Sequence, residues 1–507
     1  MLRNRFFKTK NGQRRGIWWL IGLIVGIIEN AALVALTILF VWALDSRKMP
    51  ALGIWHTTPL TSEFTSSDAT PNSTLQDYLQ QEDRLFGELK AKIIDHVAPT
   101  AEFDYSRYRV DGPQDPAHLP QNWNRTFELV PEIIRGGALL FHGLTDSPYS
   151  LRRIGEILHA KGFYVLGLRM PGHGTIPGAL TKVNWEDWVA ASHIAARHVR
   201  KRIGADKPFV IAGYSNGGAV AVKYSLDALS DLDLPPADKL LLFSPEIGIT
   251  AFSAIANSHK LLSFIPYFAQ FKWLSIQPEY DPFKYNSFPK NAAQQGHEIT
   301  TALQDQLQEK RAAGKLAGFP PVITFLSWVD ATVETSVTID QFYGQLENPG
   351  NELVIFDVNR HDQMKPFYPA GDAATLEALE KRADLPYRLT IIANANTDSQ
   401  HVVQRTKAPR SPDVETKALG MVWPYGVYSL AHVAIPFAPD DPVYGADKNP
   451  SSAYKGVPFG RMQPRGETHY LTVPLSQLMR LRYNPFFAYV EKRVIAGIGI
   501  INEGHAK

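Results

Sequence analysis

The stretch FVIAGYSNGG, residues 209–218, sets a hydroxyl among small residues where an apolar run gives way to a helix-forming one. A serine held on such a strand–turn–helix bend can serve as a nucleophile, because the turn lifts its side chain clear of the sheet. Gly213, Gly217 and Gly218 suit a backbone too pinched for side chains. The pattern G-x-S-x-G alone arises often by chance; here the preceding strand and following helix give Ser215 its weight. A nucleophile attacking a carbonyl also needs donors for the oxygen that becomes negative. The amide of Asn216, next after the serine, is one. LLFHGLTDSP supplies another: an apolar run ends at His142-Gly143, and Leu144 offers its amide. His142 precedes the serine and reads as a residue that shapes this loop.

Elements that would position these groups follow in alternation. GGALLFHG, FYVLGLRM, KPFVIAGYS and KLLLFSPEIG read as strands, with helices in PYSLRRIGEILHAKG, NWEDWVAASHIAARHVRKR and NGGAVAVKYSLDALS. Apolar strands that barely alternate predict a parallel sheet covered on both faces, an α/β fold. Residues 249–318 break the rhythm with aromatics and prolines; an insertion there would cap the strand ends where ligands bind. The rhythm resumes at PPVITFLSWVD, a helix from about 336, and ELVIFDVN.

The series HGLTDSPYSLR, LRMPGHGT, NWEDW and GYSNGG resembles the serine α/β-hydrolases of the monoacylglycerol lipase, lysophospholipase and carboxylesterase type, over about residues 135–435. The resemblance implies an α/β-hydrolase fold with an inserted cap and cleavage of carboxylic esters through an acyl-enzyme. It implies a Ser-His-Asp triad with no metal or organic cofactor. The acid would be Asp330, followed three residues later by Val333, with Glu334 its rival. The base would be His432 in GVYSLAHVAIPF or His361 in LVIFDVNRHDQ, with His432 preferred and YRLTIIANANTDSQHVVQRTK read as an inserted strand pair. His401, His469 and His505 fit less well, and His173 in PGHGT is a loop former. Ser215, Asp330 and His432 would then be catalytic, with Leu144 and Asn216 forming the oxyanion hole. The aromatic cap segment FSAIANSHKLLSFIPYFAQFKWLSI would suit the acyl chain of a lipid, lysolipid or monoacylglycerol-like ester. A thioesterase, amidase or acyltransferase could use the same groups, and an inactive, membrane-tethered binding protein is the non-enzymatic alternative.

The whole chain sets further bounds. Its 507 residues carry 52 Lys and Arg against 50 Asp and Glu, a net charge of +2 that does not point to nucleic acid. It has no cysteine, which excludes disulfides and thiolate chemistry. Residues 1–16 are basic and lead into the apolar stretch 17–44, in which Glu29 is the only charge. As a helix, that stretch is long enough to span a bilayer, and the positive-inside rule would keep the N-terminus cytoplasmic and export the catalytic region. The expected organisation is then a basic segment (1–16), an anchor (17–44) and a Ser/Thr/Pro-rich stalk (45–74). An N-terminal helix and approach (75–134), the hydrolase domain (135–440) and an extension (441–507) follow.

Overall fold

Strands that are apolar on both faces need a helical layer on each side, and the chain supplies both. The computed structural model describes residues 22–34, 37, 49–248, 266–330, 332–333, 335–367, 372–446, 454, 456–460 and 481–505. Gly53–Asn257 with Trp273–Lys507 make one compact unit, and Met1–Leu52 with Ser258–Lys272 another.

The larger unit holds a ten-stranded sheet in the order β1-β3-β2-β4-β5-β8-β9-β10-β11-β12. The strands are β1 (Phe127–Leu129), β2 (Gly136–Phe141), β3 (Phe163–Leu168), β4 (Phe209–Tyr214) and β5 (Lys239–Phe243), then β8 (Val322–Ser327), β9 (Glu352–Phe356), β10 (Arg388–Asn394), β11 (His401–Lys407) and β12 (Val414–Val422). From β3 to β10 the pairing is parallel, while β1, β11 and β12 run antiparallel at the two edges. β6 (Trp273–Ser275) and β7 (Phe288–Pro289) form a separate two-stranded ribbon. The longer helices among the described residues are α1 (Leu75–Lys92), α2 (Arg152–Ala160), α3 (Trp185–Ile203), α4 (Asn216–Ala228), α5 (Lys290–Ala312), α6 (Asp372–Lys381) and α7 (Phe487–His505). Successive strand residues point to opposite faces, which splits the core in two. Leu139, Ile211, Leu240 and Ile355 pack with Trp188 of α3, Val220 of α4 and Leu303 of α5. Leu140, Val210, Leu241 and Val354 pack with Ile154 of α2 and Val490, Val494 and Ile498 of α7.

Three expectations need correction. Among the described residues no helix is long and apolar enough to cross a membrane. The anchor, and the exported location inferred from it, are therefore not supported; residues 1–21, 35–36 and 38–48 of that reading lie outside the described residues. Nor is the later part of the Ser/Thr/Pro-rich stretch a free stalk. Phe64 is buried in the core, Thr61 and Ser62 bond to Glu88 of α1, and the Ser66 amide donates to Asp187 at 2.6 Å. Its hydroxyls serve as local caps and cross-links, which composition alone does not distinguish from a solvated linker. Finally, the described part of the extension 441–507 is integral to the domain, because α7 covers one sheet face and Asp441 accepts from Tyr149 at 2.9 Å.

A buried charge cluster joins the N-terminal region to the sheet. Arg169, just beyond β3 and 1% exposed, donates to Glu82 of α1 and to Glu63, both at 2.9 Å, and to the His173 carbonyl at 3.0 Å. Removing one member of such a cluster leaves an uncompensated buried charge. Arg169→Met is therefore expected to lower the free energy of urea unfolding by about 3–5 kcal/mol. A loss below about 1 kcal/mol, the range of an exposed pair, would show that the cluster is not load-sharing.

Candidate active site

Backbone crowding defines the bend between β4 and α4. Ser215 has φ 53° and ψ −121°, a conformation costly for a residue with a side chain. Its amide donates to the Phe243 carbonyl at 3.0 Å, and its carbonyl accepts from Gly218 at 2.8 Å and Glu246 at 2.9 Å. A Cβ at Gly217 would collide with the carbonyl oxygens of Phe141 and His142, and one at Gly218 would lie 2.5 Å from Pro245. Only glycine lets α4 start this close to β2 and β5. The Ser215 side chain emerges at the C-terminal end of the strand and is 8% exposed. Asn216 opens α4, so its amide is among those with no acceptor inside the helix.

Leu144 follows β2 in a loop held by distant chain. Tyr285 donates its amide to the Thr145 carbonyl at 2.8 Å, and Lys284 pairs with Asp146 at 2.8 Å. Thr145 has φ 66°, so this loop too is bent against its preference. His142 donates from Nδ1 to the Gly143 carbonyl at 2.9 Å and accepts at Nε2 from the Met170 amide at 3.0 Å. Burial, with the nearby His173, holds its imidazole well below the usual histidine range, so it is a neutral structural bridge. Burial likewise lowers His173 to about 3.

Asp330 lies three residues beyond β8. Its Oδ1 accepts the amides of Thr332 at 2.9 Å and Val333 at 3.0 Å, which orients the carboxylate; Oδ2 accepts from His432 Nδ1 at 2.7 Å. His432 opens a one-turn 3-10 helix, His432–Ala434, and packs at 5.6 Å from the ring of Tyr214, the residue before Ser215. A Cβ at Gly143 would lie 3.0 Å from that same ring, so Tyr214 packs against both the Leu144 loop and His432. The chain leading to His432 is fixed by Asn359, which donates its amide to the Tyr428 carbonyl at 2.6 Å and its side chain to that of Val427 at 2.8 Å.

His361 is placed differently. Its Nδ1 accepts from the Gln363 amide at 3.3 Å in a local turn, and among the described residues no carboxylate bonds to its ring. β10 and β11 do form a strand pair between β9 and His432, and β12 extends it. Glu334, His469 and cap residues 249–265 lie outside the described residues, and the side chain of His505 is likewise not described.

Sequence reasoning missed the Lys284–Asp146 clamp, whose partners are far apart in the chain. It also passed over Glu246, read only as part of a strand. The Glu246 carboxyl packs toward α5, where a Cβ at Gly296 would lie 3.2 Å from Oε1. Burial pushes it up to about 7, against the pull of His432.

The family described as serine aminopeptidase, S33, matches residues 133–365. The match supports an α/β-hydrolase of the lipase and esterase type for this region. The hydrolase region is similar to the thermostable monoacylglycerol lipase of Bacillus sp. (strain H-257), 30% identical over 86 residues that make up 17% of this chain and 33% of that protein. The chain thus spans about a third of that relative's length. Among solved structures, a metagenome-derived lipolytic enzyme of the LipS and LipT study aligns with a TM-score of 0.37 at 20% identity, over 46% of this chain and 87% of the other. The monoacylglycerol lipase of Paleococcus ferrophilus aligns with a TM-score of 0.34 at 16% identity, over 46% and 88%.

The raised Glu246 carboxyl has a consequence for stability. The native state keeps this proton to about pH 7, whereas an unfolded glutamate releases it near 4.5. The stability it confers is complete below pH 4.5 and is lost as pH rises through 7. Unfolding free energies measured across pH 4.5–7 should therefore fall less steeply for Glu246→Gln than for the parent chain. Parallel curves would show that Glu246 titrates normally.

Proposed function

We propose that the hydrolase region cleaves carboxylic esters through an acyl-enzyme, with Ser215 as nucleophile, His432 as base and Asp330 as the acid that orients it. The His432–Asp330 hydrogen bond of 2.7 Å, with the Tyr214 ring packed beside it, carries this reading. A carboxylate only accepts, so Nδ1 holds the proton and Nε2 is left as the basic nitrogen. In the first step Nε2 takes the Ser215 proton while Oγ bonds to the ester carbonyl carbon, whose oxygen becomes an oxyanion. The amides of Leu144 and Asn216 receive that oxyanion. Its collapse breaks the bond to the alcohol, which leaves with the proton from His432. Water then attacks the acyl-serine by the same route and regenerates the hydroxyl. None of these steps calls for a metal or organic cofactor.

The substrate class we infer is an ester of a fatty acid with a small alcohol, of the monoacylglycerol kind. The Bacillus relative, named a monoacylglycerol lipase, supports this. The matched family's description favours one competing substrate, a peptide amide at a chain's amino end, on the same three residues.

Replacing the two histidines separately tests the assignment. With p-nitrophenyl butyrate and a monoacylglycerol, His432→Ala should lose about 10²–10⁴-fold in turnover, the usual contribution of a positioned base. His361→Ala should stay within a few fold of the parent. The reverse ranking would reject His432. Faster cleavage of an aminoacyl p-nitroanilide than of either ester would replace the ester reading with the amide one.

A further inference from the structure

The apolar character of the sheet lapses on the α7 face, at the N-terminal ends of the strands. Ile323, Glu352 and Arg388 pair in register across β8, β9 and β10, so their side chains share this face. Thr390 pairs with Thr406 and Ile392 with Gln404, which carries a polar surface onto β11. Lys239 at the start of β5 and Arg493 of α7 complete a cleft of about 340 Å³. Ser215, Asp330 and Leu144 follow the opposite, C-terminal ends of their strands, so this cleft is separate from the candidate active site.

Three cations line the cleft against one carboxylate, and that carboxylate is already engaged. Glu352 accepts from Thr390 at 2.9 Å and pairs with Arg493. Among the described residues neither Lys239 nor Arg388 has a carboxylate within ion-pair distance. Lys239 is 5% exposed, and its stem runs along α7, where a Cβ at Gly497 would lie 3.9 Å from its Cδ. A buried ammonium is costly unless an anion meets it. Burial accordingly pulls the Lys239 amine below the usual lysine range, against the pull of Glu352. Asn351 adds a directed donor. Its Oδ1 accepts the Val322 amide at 2.9 Å, while Nδ2 is buried with no partner among the described residues, as is Nε of Arg493. The two buried atoms left over, Asn351 Nδ2 and Arg493 Nε, are both donors, and three basic side chains against one acidic one give the cleft a formal charge of +2.

We propose that this cleft binds a phosphate group, as inorganic phosphate or as the head of a small phosphate monoester. A compact dianion matches both the surplus charge and the donors, and charge-assisted bonds to lysine and arginine are the strong kind. Calorimetric titration of the full chain with inorganic phosphate, at matched ionic strength in sodium chloride, tests it. The parent should give saturable binding at one site. Lys239→Met, which keeps the stem against α7, and Arg388→Gln should each weaken it at least tenfold while ester hydrolysis is unchanged. A parallel titration with glycerol 3-phosphate separates the two sources: tighter binding assigns the site to monoesters, and equal or weaker binding to free phosphate. Neither ligand giving saturable heat with the parent, or unaltered affinity in both variants, would overturn the proposal.

Discussion

Everything at the candidate site depends on a backbone constraint: α4 begins so close to β2 and β5 that only glycine fits at 217 and 218. That crowding holds Ser215 at φ 53°, a geometry worth about 1–3 kcal/mol of strain, and the sheet on either side supports it. The Phe243 carbonyl and the Glu246 amide grip the serine backbone from β5 and the turn after it. The bend is therefore as rigid as the parallel strands that flank it, and the hydroxyl needs no flexible loop to present it.

The other candidate groups come from separate parts of the chain, and each is held by contacts of its own. Asp330 is oriented by two amides of its own turn, His432 by a segment bonded to Asn359, and the Leu144 loop by Lys284 and Tyr285. The Arg169 cluster anchors the PGHG loop and the N-terminal region to the same side of the sheet. Preorganisation of this kind matters because groups aimed at a developing charge are most effective when they need not move.

Much of this was legible in the residues. The parallel sheet could be read because strands buried on both faces leave uninterrupted apolar runs, and the bend because three glycines around one serine have few other uses. Asp330 and His432 came from a resemblance, and periodicity alone would not have chosen between His432 and His361. The edge strands β1 and β12 escaped notice, since one is three residues long and the other exposes most of its side chains. Residues 57–74 misled because hydroxyl side chains capping one another look the same in composition as a solvated tether. The apolar stretch 17–44 met a spanning criterion by its length, yet among the described residues no helix is long and apolar enough to cross a membrane. The Lys284–Asp146 clamp and the polar cleft under α7 are products of tertiary contact and leave no local pattern.

Under the proposed mechanism, catalysis passes through an acyl group on Ser215. Acid quenching during steady-state turnover of a slowly deacylating p-nitrophenyl ester, followed by digestion and mass spectrometry, tests it most directly. The acyl mass is expected on the peptide containing residues 210–225, localised to Ser215. Ester hydrolysis at full rate with that peptide unmodified, or with the adduct on another residue, would contradict it.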